Sequence, residues 1–156
     1  MTAPVDVLII GAGASGAAVA WSLAETRMHI VCLEQGDWMK PSEYPSAGRD
    51  WEARQLSDFH YNPYFSVVPI GKAVETVNWL KPDLIVLTED FITVPELSYG
   101  PARTKGTNAI DPCAALLSKL HAPSGVIGAL GNHDVASDPE RIVNSLKAHG
   151  IPILRN

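Results

Sequence analysis

The stretch "VDVLIIGAGASG", Val5–Gly16, places the tightest constraint on what this chain can fold into. Val5–Ile10 is an unbroken apolar run, of the kind buried on both faces of a parallel sheet. The turn that follows fits the spacing G-x-G-x-x-G: Gly11 permits a tight turn, Gly13 lets backbone approach a pyrophosphate, and Gly16 lets helix pack closely on strand. A helix of small residues is predicted over Ser15–Glu25, and a second strand over His29–Leu33 ends at Glu34. Glu34 is spaced to accept a hydrogen bond from a ribose hydroxyl, and a phosphate would meet the helix N-terminus. The string alone is weak. Its strand–turn–helix–strand context points to a dinucleotide-type design, against the plainer reading of a glycine turn that only packs helix on sheet.

The twenty residues Val5–Ala24 are apolar enough to invite a membrane reading. They lack a basic leading region, and glycines interrupt the run where a turn is expected, so strand–turn–helix fits better than a signal or spanning segment. A cytoplasmic location is the resulting expectation. The net charge of −5 is spread along the chain without a basic run, which excludes a nucleic-acid binder as the leading reading. Cys32 and Cys113 are the only cysteines, so no disulfide framework or cysteine zinc site is expected, and both are read as buried, reduced thiols.

Residues 35–57 lose periodicity and read as a long loop or linker. From Pro69 the pattern returns. Ile70, Ala73, Val74, Val77 and Leu80 recur at helical spacing, stopped by Pro82, and "DLIVLT" at Asp83–Thr88 is a buried strand. Asp111-Pro112 predicts a helix cap with proline at the first helical position, followed by the stripe Cys113, Leu116, Leu117 and Leu120. Gly125–Leu130 is a strand, Asp138-Pro139 repeats the cap signal, Gly150 stops the helix, and Ile151–Leu154 begins one more strand. Alternating strands and helices predict an α/β fold: a mostly parallel sheet with helices on both faces.

Three acidic and histidine pieces sit at predicted strand ends: "SDFH" (Asp58, His60), "TED" (Asp90) and "GNHD" (Asn132, His133, Asp134). Each alone is more often a solvated turn. Side chains leaving the carboxyl ends of adjacent parallel strands converge on one crevice, and oxygen and imidazole ligands suit two divalent ions sharing a carboxylate.

Two family resemblances follow from these residues. "DVLIIGAGASGAAVAWSLAE…IVCLEQGDWMKPSEYPSAGRDWEAR", about residues 4–57, resembles the N-terminus of glucose–methanol–choline type FAD-dependent oxidoreductases. That resemblance implies Gly11, Gly13, Gly16 and Glu34 around the ADP half of FAD, without the family's later flavin and substrate segments. Residues 55–156 resemble the first half of calcineurin-like metallophosphoesterases, through "SDFH", "TED" and "GNHD". The second resemblance implies Asp58 and His60 on one ion (manganese, iron or zinc), Asp90 bridging, and Asn132 on the second. It also implies His133 stabilising the leaving oxygen and Asp134 orienting that imidazole.

Position 89 departs from the family pattern, with glutamate in place of glycine, and the family's later histidines have no counterpart before Asn156. His121 and His149 fall on predicted helices and read as ordinary surface or packing residues. The expected domains are residues 1–56, a Rossmann-type βαβ, and residues 57–156, the N-terminal part of a phosphoesterase domain. The two meet at a seam near Trp51–Phe59, and either the chain is a junction of incomplete pieces or both pieces share one five-stranded sheet. The functional expectation is a weak or inactive phosphate-ester hydrolase acting on a small molecule. The alternative is an FAD- or NAD-binding fragment without redox activity.

Overall fold

The computed structural model describes residues 4–34, 61, 67–88, 90–92 and 108–155. In chain order the elements are β1 (Val7–Ile10), α1 (Ala14–Leu23), β2 (Ile30–Leu33), α2 (Val67–Leu80), β3 (Leu84–Leu87), α3 (Ile110–Leu117), β4 (Val126–Gly128), α4 (Asn132–Ala136) and α5 (Pro139–Ala148). The four strands form one parallel sheet in the order β2-β1-β3-β4. The N-terminal βαβ and the later strands therefore share a sheet, with Ile10 level with Leu87 and Leu87 level with Gly128. Ile153 adds an isolated parallel bridge to Gly128, so the expected last strand is reduced to one residue pair.

Strand pleat sorts the side chains onto two faces. Leu8, Ile85 and Leu87 point to one face and join the main core, with Ile70, Val74 and Val77 of α2, Cys113 and Leu117 of α3, and Ile142 and Leu146 of α5. Val7, Ile9 and Val86 point to the other face and pack with Val19, Ala20 and Leu23 of α1. Helices thus lie on both faces, as the alternating pattern predicts. Each fully buried Leu or Ile in such a core contributes ~1.5–3 kcal/mol, so the α2/α3/α5 side carries most of the stabilisation.

Three expectations need correction or refinement. Cys32 is exposed, because β2 lies at a sheet edge among the described residues; Cys113 is buried as expected. Asp111 is not the cap of α3: Ala109 holds that position, and Ile110 enters the core in the first turn. The Asp111 carboxylate instead accepts from Arg141 Nη2 (2.9 Å) and Ser145 Oγ (2.7 Å), tying α3 to α5. His121 lies beyond the end of α3 rather than on it. Asp138 does cap α5, accepting from Arg141 N at 3.1 Å, with Pro139 in the first turn where its missing N–H costs nothing. Among the described residues, no helix is long and apolar enough to cross a membrane.

Candidate functional site at the carboxyl edge of the sheet

The glycine turn, Asp90 and the Gly131–Asp134 segment all emerge at the carboxyl ends of neighbouring parallel strands, where ligands of open α/β sheets bind. Gly11 has φ of 99°, a conformation that a side chain would strain. Gly13 caps α1 with no side-chain hydrogen bond. At Gly16 a Cβ would overlap the carbonyl oxygen of Gly11 and come within 3.2 Å of Thr88 Oγ1. Thr88 is buried and donates to the carbonyls of Ile10 (3.1 Å) and Gly11 (3.2 Å), so the side chain just after β3 closes the turn that follows β1. Glu34 Oε2 accepts from Ala12 N at 2.8 Å, holding the same turn from the β2 side.

One strand further along, two carboxylates are buried: Asp90 at 1% and Asp134 at 0% exposure. Buried carboxylates need hydrogen-bond donors, and both have main-chain donors here. Asp90 Oδ1 accepts from His133 N (2.7 Å) and Asp134 N (3.4 Å). Asp134 accepts from Phe91 N (3.1 Å to each oxygen), Ile92 N (3.4 Å) and Gly131 N (3.1 Å). His133 Nε2 stands 4.0 Å from Asp90 Oδ2, with its ring partly open to solvent. Asn132 is exposed at the start of α4. Gly131 permits this closeness: a Cβ there would overlap Asp90 Oδ1 and stand 2.6 Å from Asp90 N.

Asp58, His60 and Glu89 lie outside the described residues. Tyr61 does not: it is buried, pairs with Ile92, and donates its N–H to the Phe91 carbonyl at 3.1 Å. The chain just after His60 is therefore anchored beside the residues just after Asp90. Sequence reasoning missed Tyr61, Thr88 and Gly131. Of these, Gly131 and Thr88 left a signal, as the first residues of "GNHD" and "TED".

Electrostatics at the site follow from burial. The Asp134 carboxyl is pushed up to about 7, first by desolvation and also by the Asp90 charge, against the lowering effect of the Phe91, Gly131 and Ile92 N–H groups. Burial, and then the charge of Asp134, pushes the Cys113 thiol up to about 12. A carboxyl whose folded pKa is raised stabilises the fold fully below about pH 4 and loses that contribution as pH rises through about 7. The melting temperature of the wild type, relative to Asp134→Asn, is expected to decline across that window. A difference that is flat between pH 4 and 7 would rule this out.

Among the described residues no group of three or more His, Cys, Asp or Glu side chains could hold a metal ion. Asp90 and Asn132 by themselves do not fit one, since divalent ions in protein sites take at least three protein ligands or several waters besides.

Comparison with known proteins gives two kinds of match, which overlap along the chain. The family model for NAD(P)-binding Rossmann-like domains matches residues 9–66. The 2-methyl-1,2-propanediol dehydrogenase of Mycolicibacterium austroafricanum is 39% identical over 64 residues, covering 41% of this chain and 12% of that protein. The uncharacterized metallophosphoesterase YkuE of Bacillus subtilis (strain 168) is 34% identical over 135 residues, 86% of this chain and 41% of that protein. The UDP-2,3-diacylglucosamine pyrophosphatase LpxG of Chlamydia muridarum is 29% identical over 124 residues, 80% of this chain and 34% of that protein. The two phosphoesterase matches are longer than residues 57–156, so each takes in part of residues 1–56 as well. The chain spans less than half the length of each of these relatives. Residues 9–66 are thus similar to NAD(P)-binding Rossmann-like domains, most of the chain is similar to part of metallophosphoesterases, and the described strands of both stretches lie in a single parallel sheet.

Proposed function

We propose that this chain is a phosphoesterase-like hydrolase acting on a small phosphate ester, with the reacting group held at the carboxyl edge of β3 and β4. The observation that supports it most is the meeting of Asp90 with His133 and Asp134 across adjacent strand ends. His133, beside a buried carboxylate and open to solvent, is positioned to protonate a departing oxygen as its charge develops. Asp58, His60, Asp90 and Asn132 are the proposed donors for divalent ions such as manganese, iron or zinc. Of these, Asp90 and Asn132 lie among the described residues, and Asp58 and His60 outside them.

The test is hydrolysis of an aryl phosphate, measured with manganese and after chelation. Asp90→Ala and His133→Ala are expected to lower the rate by ~10²-fold or more. Rates unchanged in both variants would remove the proposal.

A second reading is supported by the formed glycine turn and the match over residues 9–66. On it, Gly11, Gly13, Gly16 and Glu34 bind the ADP half of a dinucleotide, FAD included, without redox chemistry. ADP is expected to raise the melting temperature of the wild type and to do so less in Glu34→Ala. No shift at millimolar ADP, together with no flavin absorbance in purified protein, would rule this reading out.

A further inference from the structure

The loops after β3 and β4 exchange carboxylates. Asp90, carried after β3, accepts from the main chain of α4 at His133 and Asp134. Asp134, carried on α4, accepts from the main chain after β3 at Phe91 and Ile92. Each side chain thus holds the backbone that carries the other. Both groups are fully buried, β3 itself ends at Leu87, and the Phe91 and Ile92 N–H groups find an acceptor in the Asp134 carboxylate. Fixing the N–H directions of Phe91 and Ile92 fixes the peptide leading back to Asp90. It thereby sets where Asp90 presents Oδ2, the oxygen facing His133 Nε2.

We propose that Asp134 is a positioning residue for the Asp90–His133 pair, acting through the main chain of Phe91 and Ile92 without touching substrate. Its kinetic consequence rests on the phosphoesterase reading; its geometric consequence does not. A solely structural Asp134 would change stability alone, whereas a positioning Asp134 changes turnover through Asp90.

The test is a double-mutant cycle with Asp134→Asn, which keeps one carbonyl oxygen for the Phe91 N–H, and Asp90→Ala. Asp134→Asn is expected to lower kcat about tenfold with KM little changed, in line with residues that orient a reacting group. In the Asp90→Ala background the same substitution is expected to have no further effect. An undiminished kcat, a change confined to KM, or an equal further loss in that background would overturn the inference. Amide exchange at His133, whose N–H reaches Asp90 Oδ1, is the second measurement. Asp134→Asn is expected to speed it at least tenfold relative to core amides such as Val86, after correction for intrinsic rates. Unchanged exchange overturns the inference even if the wild type hydrolyses phosphate esters. Faster exchange in a protein with no hydrolysis supports the inference and removes the phosphoesterase reading instead.

Discussion

Gly131→Ala is expected to abolish aryl phosphate hydrolysis and to lower the melting temperature, although it adds only one methyl group. That methyl would overlap Asp90 Oδ1 and stand 2.6 Å from Asp90 N, both on a buried segment. Neither atom belongs to a flexible side-chain end that could swing away: Oδ1 is held by His133 N and Asp134 N. Relief therefore requires the loop after β4 to part from the loop after β3, which separates His133 from Asp90. Overpacking of this kind costs ~1–3 kcal/mol, and a displacement near 1 Å between reacting groups costs ~10²-fold in rate. Thermal unfolding and steady-state kinetics on the same preparation check it. A variant with the wild-type melting temperature and rate would show that the close approach at Gly131 does not hold in solution.

The second large effect is on stability. Phe91→Ala is expected to cost ~3–5 kcal/mol, a large share of the ~5–15 kcal/mol that a domain of this kind has. Phe91 is among the largest fully buried side chains described, and it lies where the site meets the core. Its ring would crowd any Cβ placed on Gly128, at 3.2 Å, so it packs directly against the end of β4. Its carbonyl receives Tyr61 N and, at 3.6 Å, Cys113 Sγ. Urea denaturation is expected to show a lowered midpoint with an unchanged slope. Trp79→Ala is the control: that ring is 69% exposed, and its removal is expected to cost less than ~0.5 kcal/mol. A Phe91→Ala variant as stable as Trp79→Ala would overturn this account of the core.

Part of the fold was legible because short apolar runs have few ways to be satisfied. "VLII" and "LIVL" are too apolar to lie at a surface and too short for helices, so buried parallel strands follow from the residues. The stripe Ile70, Val74, Val77 identified the buried face of α2, and Asp138-Pro139 identified the start of α5. The same local reasoning misplaced Asp111, because an aspartate before proline reads as a cap until a partner such as Arg141, thirty residues away, takes its carboxylate. It also misjudged Cys32, whose apolar neighbours say nothing about whether another strand lies beyond β2.

The sequence by itself determined the elements and the chemical character of the strand ends: a glycine turn before a helix, and the acidic and histidine pieces Asp90 and Asn132–Asp134. These are local properties, set by side-chain polarity, spacing and the φ that glycine allows. Only the tertiary structure decided that β1 pairs with β3, which brings the N-terminal βαβ and the later strands into one sheet with both motifs at the carboxyl ends of its strands. Strand order depends on which edges find partners across fifty or more intervening residues, and no local pattern encodes that choice. The same holds for the carboxylate exchange between Asp90 and Asp134. It exists because β3 and β4 are neighbours, and because Gly131 lets their loops approach closely enough for each acid to reach the other's backbone.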